Sequence, residues 1–119
     1  MRTVIVDDAT AFRTLLVEFL ADEQAFDVVG IAADGVAAEK LIDLTDPDVV
    51  ILDVHLPRES GLEVLERMRE EHAHTMFVLT SSDDTIALDA ERLGADLCID
   101  KLMPFDEMCT AIRDGLAAR

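Results

Sequence analysis

The stretch Val49-Val50-Ile51-Leu52-Asp53 is the clearest indication of the fold, because its four apolar residues run without a break into a carboxylate. An unbroken apolar run of this length predicts a strand that is covered on both faces, as strands are in a parallel sheet. Four other short runs have the same character. The five predicted strands are residues 3–6, 28–32, 49–52, 76–80 and 97–99.

Between these strands the apolar residues follow the period of a helix. The apolar face of the first predicted helix comprises Phe12, Leu15, Leu16, Phe19 and Leu20. The other predicted helices begin at Asp34 as an N-cap, at a capping box of Ser60 and Glu63, near residue 84 and at Pro104, and the fourth ends near residue 93. Strands that alternate with helices predict an α/β fold, a doubly wound parallel sheet with helices on both faces.

Composition restricts the class of protein further. A chain of 119 residues suits one domain, and half of its residues are apolar, which excludes a disordered chain. Ten basic against 26 acidic residues give a net charge of −16, which disfavours direct binding to nucleic acid or membrane and favours basic proteins and cations as partners. We see no signal peptide and no apolar run long enough to span a bilayer, and therefore predict a cytoplasmic protein.

The residues that follow the strands are polar and charged. Asp7-Asp8 follows the first strand, Asp53 the third, Thr80 ends the fourth, and Lys101 comes shortly after the fifth. In a doubly wound fold the carboxyl ends of the strands meet at one edge, where ligands bind. Two unit charges 4 Å apart repel by about 4 kcal/mol at an effective dielectric near 20, so three carboxylates at one edge require a cation. Oxygen ligands without Cys or His side chains predict Mg²⁺, with Mn²⁺ as an alternative.

A carboxylate beside such a metal is a candidate nucleophile toward phosphorus. Asp53 is the predicted nucleophile, since it follows the central apolar strand and lies at the middle of this edge. The metal and Lys101 would neutralise charge on the phosphoryl oxygens, and Thr80 would donate a hydrogen bond to one of them. Asp7-Asp8 is better placed to hold the metal.

These residues resemble the receiver domain of two-component response regulators over essentially all 119 residues. The resemblance is carried by Val4-Ile5-Val6-Asp7-Asp8, residues 47–57, 60–65, 78–81 and 94–96, and Lys101, in that order and spacing. It implies a single domain over residues 1–119, with the flavodoxin-like strand order 2-1-3-4-5 and five helices. Residues 26–30 and 34–35 further resemble receivers that precede DNA-binding output domains.

The resemblance assigns a role to each candidate residue. Asp53 matches the phosphoacceptor, Asp7-Asp8 the metal-binding acids, and the backbone carbonyl of His55 the third protein ligand. Thr80 matches the switch hydroxyl, and Lys101 the lysine that pairs with the phosphate. The implied partners are a histidine kinase or phosphotransfer protein, a downstream target or output domain, and a possible second copy in a homodimer. Phosphorylation is expected to switch the surface of the fourth helix, fifth strand and fifth helix, without making the domain a turnover enzyme.

The chain departs from the receiver pattern at two positions. Leu102 follows the lysine where receivers usually have a cis proline, and a cis bond without proline costs about 3 kcal/mol, so we predict a trans bond there. Cys98 replaces the usual aromatic residue, and the chain contains no Tyr. We expect output to depend instead on the backbone after Thr80. His55, two residues beyond Asp53, is a candidate for control of the lifetime of the phosphorylated state.

Other functions fit the sequence less well. A phosphohydrolase of the haloacid dehalogenase type needs a second Asp where this chain has His55, and a flavodoxin-like electron carrier would meet repulsion between Asp7-Asp8 and the flavin phosphate. A degenerate receiver that only binds proteins, and the receiver piece of a longer DNA-binding regulator, stay as alternatives. His72 and His74, two residues apart near the end of the third helix, do not share a helical face and are not predicted to form a zinc pair.

Overall fold

The five strands form one parallel sheet in the order β2-β1-β3-β4-β5. A computed structural model describes the backbone of residues 1–119 and every side chain except that of Asp84. The strands are β1 (Arg2–Val6), β2 (Asp27–Ala32), β3 (Val49–Asp53), β4 (Met76–Ser81) and β5 (Leu97–Asp100). Each of the five predicted strands is confirmed to within one residue at either end.

Five α-helices connect and follow the strands. They are α1 (Thr10–Ala21), α2 (Gly35–Thr45), α3 (Gly61–Met68), α4 (Ala87–Arg92) and α5 (Phe105–Ala117). The predicted N-terminal caps of α2 and α3 are confirmed, because the Asp34 side chain accepts from Ala37 N at 2.8 Å and Ser60 forms a capping box with Glu63. No helix in the part of the chain described above is both long and apolar enough to cross a bilayer.

The fourth helix is shorter than predicted. The segment predicted as one helix over residues 84–93 begins as a 3₁₀ turn, Asp84–Ile86, and only then continues as α4. The Asp83 carboxylate accepts from Thr85 N at 3.0 Å and from the Thr85 hydroxyl at 2.7 Å, and Ile86 N donates to Asp83 O. These local bonds hold the first turn in the tighter i→i+3 geometry.

The sheet separates two apolar cores. Val50, Leu52 and Phe77 point toward α2, α3 and α4, while Ile51 and Val78 point toward α1 and α5. All five residues of β3 are buried, as expected for the central strand of a sheet covered on both faces. The peptide bond between Lys101 and Leu102 is trans as predicted, since the described residues include no cis bond. This packing fixes the carboxyl ends of the strands at one edge.

Candidate functional site

Asp53 lies at the carboxyl end of β3, and its side chain is almost completely buried, with 1% of the residue exposed. Its Oδ1 accepts from His55 N at 3.1 Å, and its Oδ2 lies 3.0 Å from Lys101 Nζ. Gly61 at the start of α3 lets the chain pass close by, because a Cβ there would lie 2.1 Å from the Asp53 carbonyl oxygen. The carboxylate is therefore held in one orientation by a backbone donor and an ammonium group.

Lys101 joins two of the predicted carboxylates. Its Nζ lies 2.8 Å from Asp7 Oδ2 and 3.0 Å from Asp53 Oδ2, and it stands 4.8 Å from the centre of the Phe12 ring. Lys101 N donates to Ser81 O at 3.0 Å, which extends the β4–β5 pairing beyond the end of β5. With a trans bond before Leu102, the ammonium group of Lys101 therefore still reaches Asp53.

Asp7, Asp8 and Asp53 offer carboxylate oxygens that all lie within 4.8 Å of one another. Asp7 is buried and its Oδ1 accepts from Ala9 N at 2.8 Å, whereas Asp8 is exposed. Of the side chains that the structure describes, only Lys101 lies at ion-pair distance from these carboxylates. Three carboxylates against one ammonium leave an excess of negative charge, and an all-oxygen donor set open to solvent fits Mg²⁺.

Thr80 lies directly opposite Asp53 in the register of β3 and β4. Its Oγ1 is buried, and it has no hydrogen-bond partner among the described residues. A buried hydroxyl without a partner costs about 1–3 kcal/mol of free energy, so this group gains from any acceptor that enters the site. The predicted switch hydroxyl is thus an unsatisfied donor beside the carboxylate.

Burial sets the electrostatics of the site. The pKa of Asp53 is raised above its usual value, chiefly because burial penalises the charged carboxylate, with Asp7 adding to the effect against the opposing His55 N–H and Lys101. Burial alone would lower the pKa of Lys101, but its hydrogen bonds and charge interactions with Asp7 and Asp53 outweigh burial and raise it. Lys101 stays an ammonium group, and Asp53 carries a poorly solvated negative charge.

His55 lies outside this buried set. Its side chain is exposed and lines an open cleft together with Asp8, Ser60, Leu62 and Ile86. The structure thus brings Asp7, Asp8, Asp53, Thr80 and Lys101 to one edge and places His55 at its rim. Phe12 is the contact that the sequence did not predict, because helical periodicity assigns it to a packed face without indicating that Lys101 crosses its ring.

The model of the family described as response regulator receiver domain matches residues 3–113. This chain belongs to the response-regulator receiver family. Its function is that of a phosphoacceptor receiver domain in two-component signal transduction. The phosphohydrolase and electron-carrier alternatives are therefore not supported.

Solved receiver structures resemble this chain along nearly its whole length. The receiver domain of NarL from Mycobacterium tuberculosis is 32% identical, with a TM-score of 0.91 over 99% of this chain and 97% of that one. The BeF₃-activated receiver domain of RstA from Klebsiella pneumoniae is 28% identical, with a TM-score of 0.88 over 98% of each chain. These similarities confirm the predicted flavodoxin-like architecture.

Two curated relatives are much longer than the region they share with this chain. A protein-glutamate methylesterase/protein-glutamine glutaminase of Thiobacillus denitrificans is 38% identical over 98 residues, which are 80% of this chain and 28% of the relative. Transcriptional regulatory protein YdfI of Bacillus subtilis is 30% identical over 95 residues, 79% of this chain and 45% of the relative. The chain thus spans less than half of either relative.

Proposed function

We propose that Asp53 accepts a phosphoryl group from a phosphohistidine of a histidine kinase or phosphotransfer protein, with Mg²⁺ as the metal. The observation that carries this proposal is the placement of one buried carboxylate between the Lys101 ammonium, 3.0 Å away, and the acidic cluster of Asp7 and Asp8. A nucleophile for phosphorus needs a poorly solvated negative charge and positive groups that receive the charge of the phosphoryl oxygens. This edge of the sheet provides the carboxylate and one of those positive groups.

The side chains of Asp8 and Asp53, together with the backbone carbonyl of His55, are the proposed protein ligands of Mg²⁺, with Asp7 supporting them. When bound, the ion supplies positive charge that offsets carboxylate repulsion and draws phosphoryl oxygens to the site. Asp8 is exposed and approachable from solvent, whereas Asp7 is already engaged by Lys101 and Ala9 N. We therefore assign Asp8 the larger share of metal binding and Asp7 the placement of Lys101.

In the proposed transfer step, a carboxylate oxygen of Asp53 forms a bond to phosphorus, and the phosphorus–nitrogen bond of the donor histidine breaks. The electron pair of that bond stays on the donor imidazole, which takes up a proton. Lys101 moves its ammonium group from Asp53 Oδ2 to a phosphoryl oxygen, and Thr80 Oγ1 donates to another. Hydrolysis of the acyl phosphate returns Asp53 to its carboxylate, so the domain consumes its own modification and is not a turnover enzyme.

Phosphorylation is proposed to switch the surface formed by α4, β5 and α5. The hydroxyl of Thr80 and the backbone of Ser81 to Asp83 lie between Asp53 and α4. A hydrogen bond from this hydroxyl to the phosphoryl group would therefore favour one of two conformations of the segment. α4 exposes Leu88 and the turn between β5 and α5 exposes Leu102, 75% and 85% accessible, and we propose both as apolar contacts for a target or output domain or for a second copy. We propose that residues 1–119 act as a single receiver domain.

Intact mass after incubation with acetyl phosphate and Mg²⁺ tests the acceptor assignment. The parent chain is expected to gain the mass of one phosphate, and Asp53→Ala is expected to gain none. Asp48→Asn is a matched control, because Asp48 precedes the same strand at its opposite end, where it accepts from Arg2 N. A parent that gains no phosphate would support the degenerate receiver instead, and phosphorylated Asp53→Ala would show that another residue is the acceptor.

A further inference from the structure

A second group of metal-ligating side chains lies at the edge of the sheet opposite Asp53. There α2 ends at Thr45, Asp46 follows in the left-handed conformation with φ of 46°, and the turn after α3 comes alongside. Asp43 and Asp46 come from the end of α2, and Glu71 and His72 from that turn. The function proposed above uses none of these residues.

His72 is the fixed centre of this group. Only 7% of the residue is exposed, its Nδ1 lies 3.0 Å from Asp46 Oδ1, and its Nε2 lies 2.8 Å from Asp43 Oδ1. The backbone is held as well, because His72 N donates to Met68 O at 3.1 Å and His72 O accepts from Thr75 N at 3.0 Å. The imidazole is therefore positioned before any ligand arrives.

The donor atoms around Nε2 form a ligand set. One ligand atom each from Asp43, Glu71 and His72 lies within 4.8 Å of the others, and the two acids are exposed enough to rotate inward. Asp46 plays a different part, since its contact with Nδ1 orients the ring so that Nε2 faces Asp43, and a metal ion at Nε2 would replace the proton between Nε2 and Asp43 Oδ1. An imidazole whose other nitrogen is held by a carboxylate is the usual outer support of a zinc-binding histidine.

We propose that Asp43, Glu71 and Nε2 of His72 bind Zn²⁺. Three protein ligands of nitrogen and oxygen with water as the fourth suit tetrahedral zinc, with bonds of about 2.0–2.2 Å. An imidazole ligand separates this site from the all-oxygen cluster of Asp7, Asp8 and Asp53, which suits Mg²⁺. Binding displaces the proton of Nε2 to water, and the metal joins α2 to the turn after α3.

The local charge supports a cation at this position. Asp43, Asp46 and Glu71 carry three negative charges, and among the described side chains their ion-pair partners are His72 and His74, with no lysine or arginine. The whole chain has a net charge of −16. A divalent ion removes repulsion among these carboxylates, whereas a second anion would increase it.

Competition between the protein and a chromophoric zinc indicator tests the site. Zn²⁺ is the titrant. The chain carries Asp8→Asn and the buffer contains excess Mg²⁺, so that zinc does not enter the cluster of Asp7, Asp8 and Asp53. We expect one equivalent bound, with that equivalent lost in Glu71→Gln and Asp43→Asn and retained in Glu70→Gln, whose change in charge is identical. Asp46→Asn is expected to weaken binding by about 10- to 100-fold, as loss of an outer partner does.

Long-range proton–nitrogen NMR of the imidazole tests separately whether His72 is a ligand. Zinc is expected to shift Nε2 of His72 to a metal-bound position and leave Nδ1 protonated. Because Glu71 and Asp43 are exposed, their substitutions keep the fold even where His72→Gln does not. Less than one equivalent bound, binding equal in Glu71→Gln and Glu70→Gln, or an unshifted His72 Nε2 would each overturn the site.

Discussion

The hydroxyl of Thr80 lowers the stability of the unphosphorylated protein. Its Oγ1 is buried without a partner, while its methyl group packs in the interior of β4. Valine has the same shape without the donor, so Thr80→Val is expected to raise the free energy of unfolding of the unphosphorylated chain by about 1 kcal/mol. Urea unfolding measures this change. A clear loss of stability would show that the hydroxyl has a partner in solution.

The same substitution separates phosphorylation from switching. Thr80→Val is expected to gain phosphate on Asp53 while losing the amide shifts that phosphorylation produces in α4 and β5. Thr80→Ser keeps the donor and serves as the control that retains those shifts. Equal shifts in the valine and serine variants would remove the hydroxyl from the switching mechanism.

Substitution of His55 tests whether a side chain at the rim of the site affects the lifetime of the acyl phosphate. The side chain is exposed beside Asp8, whereas its backbone N–H holds Asp53 Oδ1. Replacing His55 by Ala removes the ring but keeps the backbone donor, so transfer to Asp53 should persist while the acyl-phosphate half-life changes. Timed loss of the phosphate mass measures it, and an unchanged half-life contradicts a role for the ring.

The meeting of Asp53, Thr80 and Lys101 at one edge of the sheet was predictable, because position in the fold decides it. Asp53, Thr80 and Lys101 lie at or just after the carboxyl ends of strands in a parallel sheet, and a doubly wound fold brings such positions to one edge whatever their separation in sequence. The contacts of His72 were not predictable in this way. Asp43 and Asp46 lie 29 and 26 residues before it, and no helical or strand period relates them. Only the packing of α2 beside α3 brings these side chains together.

At the level of elements, local signals located helices better than they located helix lengths. The cap at Asp34 and the capping box at Ser60 were predictable because each involves residues at most three apart. The 3₁₀ turn before α4 was not, since apolar spacing cannot distinguish a tight first turn from an α-helical one. The competing bonds from Asp83 to Thr85 decide that geometry.

The aromatic cluster of Phe12, Phe19 and Phe105 joins α1 to α5 beneath Lys101. Phe105 lies 5.7 Å from Phe12 in a T-shaped arrangement and 5.6 Å from Phe19, measured between ring centroids. A double-mutant cycle of Phe12→Leu and Phe105→Leu is expected to give a coupling free energy of about 0.5–1.5 kcal/mol. Urea unfolding of the four chains supplies it. Additive effects would mean that the rings contribute only through burial.

His72 makes the contact between α2 and the turn after α3 dependent on pH. Burial alone would lower its pKa, but the carboxylates of Asp43 and Asp46 outweigh burial and raise it above the ordinary 6.5. The folded chain then binds this proton more tightly than the unfolded chain does. The resulting stability is complete below the unfolded pKa and is lost as pH rises through the higher folded pKa.

Urea unfolding with a chelator present measures this effect without metal. The stability difference between the parent and His72→Gln is expected to be largest at acidic pH and to shrink toward alkaline pH. Asp43→Asn removes one of the two carboxylates and should reduce the pH dependence. A difference that grows as pH rises would reverse the sign and contradict the charged imidazole.

For the whole molecule, two groups of carboxylates are the places where cations are expected to bind. The acidic cluster of Asp7, Asp8 and Asp53 and the group around His72 lie at opposite edges of the sheet, one at the carboxyl ends of the strands and one beyond α2. Each has an excess of carboxylates over positive partners. Folding brings these like charges together, so divalent ions should stabilise the folded chain by relieving their repulsion.

Mg²⁺ should therefore raise the free energy of unfolding by binding Asp8. The difference in stability between Asp8→Asn and the parent should depend on whether Mg²⁺ is present. A ligand at about 100 times its dissociation constant stabilises the folded state by about 2.7 kcal/mol, provided that the unfolded chain does not bind it. The parent and Asp48→Asn are expected to show this gain in thermal unfolding, and Asp8→Asn is expected to lose most of it. Without metal, Asp8→Asn should be at least as stable as the parent, because the substitution removes a negative charge from the crowded edge.

Two outcomes would contradict this prediction. A gain from Mg²⁺ that persists in Asp8→Asn would place the ion elsewhere. An Asp8→Asn chain that is less stable than the parent without metal would show that the ion does not act by relieving repulsion.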